Sequence, residues 1–334
     1  MTRVSAALIL PVHNRKAYTS AILNQLTTQI AALSFDLSTE PSDKPTLHVI
    51  VVDDGSTDGT AEAIIQNFTE VHLLKGDGQL WWTGAIATGM HHVQQHLQTD
   101  YIVWLNDDIT LADDFIFQLI EHCQHSLHQN TITGGIVCAQ SHPDWIVFGG
   151  VIAGQPVNNT QQFSHASILK VDTLNGNIVV MPTQLVTDIG LPNSERFRHY
   201  GGDYEYICRA KESGYEIRLS NHLVATTDYG VSDIIRYMPL VFQMTLSSTL
   251  ADKWKTLQNL HLLKSPHNAY HMVNSIHRHK STVPWWRYYA FYLRKIVKLL
   301  GSECLPGYIR KQQLSSYLEQ QGVPKPISTG LLER

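Results

Sequence analysis

Three sets of acidic residues in this 334-residue chain have types and spacings that suit chemistry. Asp53 and Asp54 end the apolar run LHVIVV and precede Gly55. Asn106, Asp107 and Asp108 follow a second such run, YIVWL. Two adjacent carboxylates can hold a hard divalent cation, which in turn holds a diphosphate and neutralises its charge. Each pair alone also reads as a capped turn, and DDGSTDGT is rich in turn-forming residues. Asp203 lies in HYGGDYEYICRAKESGY, after two glycines and before residues that favour a helix. The dipole and free N–H groups of a helix start are expected to keep its carboxylate ionised. An ionised carboxylate in a cleft can deprotonate a hydroxyl nucleophile, although Asp203 alone also reads as a plain N-cap. Glu205, two residues on, is expected to point elsewhere. Asp113 and Asp114 precede FIFQLI and read as helix caps. Trp81 and Trp82 follow the loop GDGQL. They suit either the lining of a sugar or nucleotide site or a core in which one faces each way.

The segments that must position these groups alternate in period. Ala6–Leu10, Leu47–Val52, Val71–Leu74 and Tyr101–Leu105 read as strands. LHVIVV, apolar throughout, is what a strand covered on both faces requires. Ala17–Leu33, a helix capped by Ser56, Thr57 and Asp58 that runs to Phe68, and Thr83–Leu97 read as helices. Phe35–Pro45 reads as a polar loop. The alternation predicts an α/β fold with a mostly parallel, doubly wound sheet. Ligands of such sheets bind beyond the C-terminal strand ends. There stand HNR at 13–15, DDGS at 53–56, KGDG at 75–78 and NDD at 106–108. A helix from Asp113 to about His128, Gly-rich strands over 134–154 and a strand at Ile178–Met181 follow. Past about residue 235 the chain becomes helical, which divides it into a catalytic domain at 1–235 and a basic, aromatic region at 236–334.

Composition narrows the classes. With 43% hydrophobic and 16% charged residues the chain can bury a sizeable core and is not disordered. A net charge of -4 gives no reason to expect nucleic acid as a partner. Cys123, Cys138, Cys208 and Cys304 are far apart and fit no metal-ligand spacing. They are expected to be buried thiols of a reducing compartment. The apolar run at the N-terminus is too short for a secretory signal. No stretch reaches the roughly 18 apolar residues of a membrane span. A cytoplasmic location is the expectation.

Taken together, LILPVHNR, VIVVDDGSTDGT, KGDGQLWWTGA, WLNDD and GGDYEYICRAKESGY resemble the inverting family 2 glycosyltransferases of GT-A fold, in that family's order. Among these it resembles the bacterial cell-surface polysaccharide glycosyltransferases. The resemblance covers about Ala6 to Gly230. It implies transfer of a sugar from a UDP-, dTDP- or GDP-linked donor to an acceptor hydroxyl on a glycan or lipid-linked glycan. It implies that Pro11, His13 and Arg15 lie beside the base and phosphates, that Asp54 reads the base edge with Asp53 in support, and that Gly76, Asp77 and Trp82 line the donor site. Asp107 and Asp108 match the Asp-x-Asp type of motif, with Asp108 the direct ligand of Mn2+ or Mg2+. Asp203 matches the catalytic base. His13 stands where the family often has tyrosine. Where some members place a metal-ligating histidine, HLVATTDYG offers Asp228.

Two other readings compete. A nucleotidyltransferase acting on a sugar phosphate would carry a Gly-rich, basic phosphate loop near its first strand, and LPVHNRKAY has no glycine. A catalytically inactive nucleotide-sugar-binding module would not need the full set of aspartates. Farther on, WWRYYAFYLRKIVKLL at 285–300 interleaves aromatic and basic residues without an acid. It reads as a packed helix with a solvated basic face, or as a peripheral contact with the cytoplasmic face of a membrane. His267, His271, His277 and His279 lack nearby cysteines or carboxylates and form no recognisable metal motif.

Overall fold

The computed structural model describes residues 4–36, 44–125, 130–280 and 282–333. In chain order the first part comprises β1 (Ser5–Val12), α1 (Lys16–Asp36), β2 (Thr46–Asp53), α2 (Thr60–Asn67), β3 (His72–Lys75), α3 (Trp81–His96) and β4 (Tyr101–Leu105). Next come β5 (Thr110–Leu111), α4 (Phe115–Gln124), β6 (Thr131–Ala139), β7 (His142–Phe148), β8 (Gly150–Ile152) and β9 (Gln155–Pro156). They are followed by β10 (Ile168–Lys170), β11 (Thr173–Leu174), β12 (Ile178–Pro182), α5 (Gln184–Ile189), α6 (Gly202–Glu212) and β13 (Glu216–Thr227). The remainder is helical: α7 (Val231–Tyr237), α8 (Leu240–Leu246), α9 (Leu250–Gln258), α10 (Ala269–Ile276), α11 (Trp285–Glu303), α12 (Gly307–Gln320) and α13 (Lys325–Leu332). The expected loop at 35–45 falls largely outside the described residues, as does the end of the helix expected to reach His128.

The main sheet runs β10-β13-β6-β12-β4-β1-β2-β3. β3, β2, β1, β4, β6 and β13 point one way, and β12 and β10 run against them. The architecture is α/β with a mostly parallel sheet, as the alternating pattern predicts. β1 shows why its sequence is apolar throughout. Ala7 and Ile9 face a core that includes Ala85, Ile86 and Met90 of α3, while Ala6, Leu8 and Leu10 face Ile22, Leu23 and Leu26 of α1. Burying each large aliphatic side chain stabilises the fold by roughly 1.5–3 kcal/mol. The parallel pairing brings the ends of β1, β2 and β4 to one edge, where Val12, Asp53 and Leu105 stand. Pro11 fits the interior of the sheet because β1 pairs with β4 only as far as Ile9 and Trp104, so its missing N–H lies past that ladder.

The chain divides into two compact units, 1–198 with 202–228, and 199–201 with 229–334. Helices of the second unit pack around Leu240, Met244, Leu260 and Leu299. No helix among the described residues is long and apolar enough to cross a membrane. Cys123, Cys138 and Cys208 are buried, but Cys304 is exposed, which corrects the expectation that all four are buried. Asp114 occupies the N-cap position of α4, yet its carboxylate takes the Gln118 amide at 2.9 Å instead of capping the backbone.

Candidate active site

Asp107 and Asp108 sit in the turn after β4, one buried and one half-exposed. Arg15, one residue before α1, reaches both with the same nitrogen: Nη1 lies 3.0 Å from Asp107 Oδ1 and 2.7 Å from Asp108 Oδ2. One helical turn on, Thr19 Oγ1 donates to Asp107 Oδ2 at 3.2 Å. Burial, opposed by Arg15 and reinforced by the Asp108 charge, pushes the Asp107 carboxyl up to about 6. Desolvation works against the Arg15 charge, but the two aspartates outweigh it and hold the guanidinium firmly protonated. The two carboxylates thus converge on a single cationic point. Among the described residues no third His, Cys, Asp or Glu completes a cluster with them. Such a pair suits a Mg2+- or Mn2+-like ion that draws its other ligands from water and phosphate. β13 ends beside the motif, where Thr227 Oγ1 donates to the Asp108 carbonyl at 3.0 Å. Asp228, the next residue, is exposed.

The β1 and β2 ends are stitched together. Asn14, at φ 52°, accepts the Thr57 N–H on its side-chain oxygen at 2.7 Å and donates its own backbone N–H to the Ser56 hydroxyl oxygen at 2.8 Å. His13 Nδ1 donates to the Asp54 carbonyl at 2.5 Å. Asp58 takes the Lys16 N–H at the start of α1 and the Thr60 N–H at the start of α2, so of the three expected caps it alone serves both helices. Asp53 accepts the Ser56 N–H at 2.9 Å. Asp54 is buried, and its carboxylate takes three backbone N–H groups: Gly78 at 2.8 Å, Leu80 at 3.1 Å and Trp81 at 2.8 Å. These bonds hold the loop that precedes α3 and pin Trp81 at φ 57°, a conformation that bulky residues rarely adopt. Gly76 is needed here, since a Cβ on it would stand 2.7 Å from Asp54 Oδ1. Asp77 is exposed and accepts the Gln79 N–H at 2.9 Å.

Asp203 opens α6, half-buried, with Oδ2 accepting the Gly176 N–H at 3.0 Å and Oδ1 the Tyr204 N–H at 2.8 Å. Desolvation raises its pKa, and these donors offset only part of the rise. The donors at the helix start favour the ionised carboxylate, as expected there, while burial opposes it. Glu205 is buried and bonded to Arg209 at 2.9 Å. Trp82 donates its indole N–H to Asn106 Oδ1 at 2.9 Å and meets Trp104 edge-on at 5.6 Å. Trp104 in turn lies 5.4 Å from Tyr206 of α6. A chain of amides extends this contact. Asn106 donates to Asn177 at 2.7 Å, and Asn177 donates to Asn175 at 2.9 Å. Between those two asparagines stands Gly176, which holds Asp203.

Residues 7–146 match the model of glycosyl transferase family 2. Those residues, less than half of the chain, are similar to that family. No curated protein matches the sequence. Similar solved structures include S. aureus TarS, at 12% identity and TM-score 0.49, covering 99% of this chain; the chain spans 55% of the length of TarS. A mannosyltransferase from Pyrobaculum calidifontis, in complex with GDP-Man and Mn2+, is 12% identical with TM-score 0.49, covering 100% of this chain and 86% of its own. S. aureus TarS 1–349 in complex with UDP is 15% identical with TM-score 0.47, covering 97% and 82%.

Among the matched residues the structure brings Arg15, Asp107 and Asp108 into direct contact and joins Asp54 to the loop holding Gly76, Asp77 and Trp82. Asp203 lies beyond the matched residues and reaches the motif through Gly176 and the asparagines. Thr19, Asn175, Gly176 and Asn177 are site residues that sequence reasoning missed. Thr19 was signalled by its four-residue spacing from Arg15, which puts both on one helix face. The asparagines carried no such signal.

Proposed function

We propose that the protein transfers a sugar from a UDP-, dTDP- or GDP-linked donor to a hydroxyl of a glycan or lipid-linked glycan, with inversion and with a divalent cation. The observation that carries this reading is the convergence of Asp107 and Asp108 on one Arg15 nitrogen at the end of β4. Asp108, the more open carboxylate, and Asp107 would hold Mn2+ or Mg2+, which when bound supplies charge neutralisation of the departing diphosphate. Arg15 adds a fixed positive charge beside the same phosphates, and its placement by α1 limits the reorganisation needed at the moment of transfer. Asp203 takes the acceptor proton. Its raised pKa makes it a stronger base than an exposed carboxylate, and the Gly176 and Tyr204 N–H groups fix its direction. His13 and Pro11 border the donor. Free cysteines suit work in the cytoplasm, and peripheral membrane contact through 285–300 would suit a lipid-linked acceptor.

The test is incubation with each nucleotide sugar and Mn2+, read as nucleotide release and product formation for the wild type and Asp108→Ala. Thermal shifts with UDP, GDP, CMP and dTDP identify the base, since a ligand of the native state raises Tm. Metal-dependent transfer that vanishes in Asp108→Ala supports the reading. Transfer unchanged in that variant, or pyrophosphate release from a nucleoside triphosphate, overturns it.

A further inference from the structure

α11 is turned apolar side out. Trp285, Trp286, Tyr289, Leu293, Val297 and Leu300 are 53–73% exposed. At 3.6 residues per turn they fall on one arc of the helix. The inward arc is narrower: Leu299 is buried, and Tyr292 and Ile296 pack on the core formed by Leu240, Met244 and Leu260. A helix whose only need was to cover that core would face water with polar residues. Here the water-facing side holds two tryptophans and three aliphatic side chains.

Charge completes the pattern. Arg294 and Lys298 are exposed and follow the apolar arc on one flank, with Arg287 on the same side. The stretch 282–302 contains no acid, and Glu303, the first carboxylate after it, is taken by Lys253 and Arg310. Among the described residues no carboxylate pairs with Arg294, Lys295 or Lys298. Burial and the like charges of Lys298 and Arg294 lower the Lys295 ammonium, as expected of a cation cluster that lacks a counter-anion.

We propose that α11 is an interfacial docking helix that lies flat on an anionic lipid surface. Trp285, Trp286, Tyr289 and Leu293 enter the headgroup boundary, and Arg287, Arg294 and Lys298 meet lipid phosphates. An apolar arc bordered by uncompensated cations fits this surface on both counts, because aromatic rings favour headgroup depth and each cation adds attraction to anionic lipid. The inference concerns the helical unit alone and stands whether or not the sugar-transfer reading holds.

The experiment is co-sedimentation of the full chain with vesicles of phosphatidylcholine alone or mixed with phosphatidylglycerol, over a salt series. Binding is expected on the anionic vesicles at low salt and is lost as salt rises. Arg294→Glu/Lys298→Glu should weaken it by roughly tenfold or more, and Trp286→Ser/Leu293→Ser should weaken it at every salt concentration. All four positions are exposed, so these variants should keep the wild-type Tm and donor binding. No sedimentation with anionic vesicles at low salt overturns the proposal, as does sedimentation that neither double variant alters. A two-chain mass by light scattering that Trp286→Ser/Leu293→Ser reduces to one chain would assign the arc to self-association and overturn it as well.

Discussion

The backbone N–H of Gly176 donates to Asp203 Oδ2 at 3.0 Å, and a Cβ placed on Gly176 would stand 3.2 Å from the Asp203 Cβ and 2.5 Å from the Trp82 ring. The glycine is therefore the contact through which Asp203 and the Trp82 ring are set against each other. Gly176→Ala forces one of them to move. We expect kcat/KM to fall by about tenfold or more, since displacement of a positioned group is expensive, with a stability loss of about 1–3 kcal/mol from overpacking. Donor binding should weaken as well if Trp82 is the group that moves. Wild-type kcat/KM in this variant would show that Asp203 is not positioned through Gly176.

As the proposed base, Asp203 would act only when deprotonated, and its pKa is raised above the ordinary carboxylate value. Activity should therefore fall as pH drops through that raised value, at higher pH than an exposed aspartate would give. Asp203→Asn should lose about 10²–10⁴-fold in transfer, still bind donor, and show no such acidic limb. A variant with the wild-type pH profile would assign the limb, and the base, to another group.

Much of the frame was legible because parallel strands buried on both faces leave continuous apolar runs, and LHVIVV and YIVWL both became central strands. The strand-end carboxylates followed from that. What was hidden arises from distant pairing. β12 joins the sheet antiparallel beside β4, with Ile178 opposite Leu105, and this brings Asn175, Gly176 and Asn177 to the Asn106–Asp108 turn. Nothing local at residues 175–177 announces that neighbour. The two arcs of α11 could be read from the sequence, but which arc faces inward depends on the core formed by Leu240 and Met244.

The role of Asp54 separates two outcomes. Its carboxylate accepts from Gly78, Leu80 and Trp81. Asp54→Ala leaves three donors without their acceptor, at about 1–3 kcal/mol for each that water does not reach. Asp54→Asn should also destabilise, because its amide NH2 would face a backbone donor. We expect both variants to lower Tm by several degrees and to weaken donor binding as the loop loosens. A variant that keeps its Tm while losing donor affinity would instead support direct contact between Asp54 and the base.

Asp107 links function to stability with a definite sign. Its carboxyl is raised from 3.8 to about 6 in the folded chain. The folded state therefore holds the proton more tightly than the unfolded state does. In the metal-free protein its contribution to stability is most favourable below about pH 4 and is lost as pH rises toward 6, on the order of 3 kcal/mol in all. In EDTA, Asp107→Asn should therefore match the wild type near pH 4 and exceed its Tm by about 2–6 °C at pH 8, while losing transfer. Adding Mn2+ at pH 8 should raise the wild-type Tm and leave the variant nearly unmoved, since the ion relieves the charge that the substitution removes. Equal Tm values at pH 8 in EDTA would mean that Arg15 compensates the buried charge fully, and the tension between folding and cation binding at this residue would not exist.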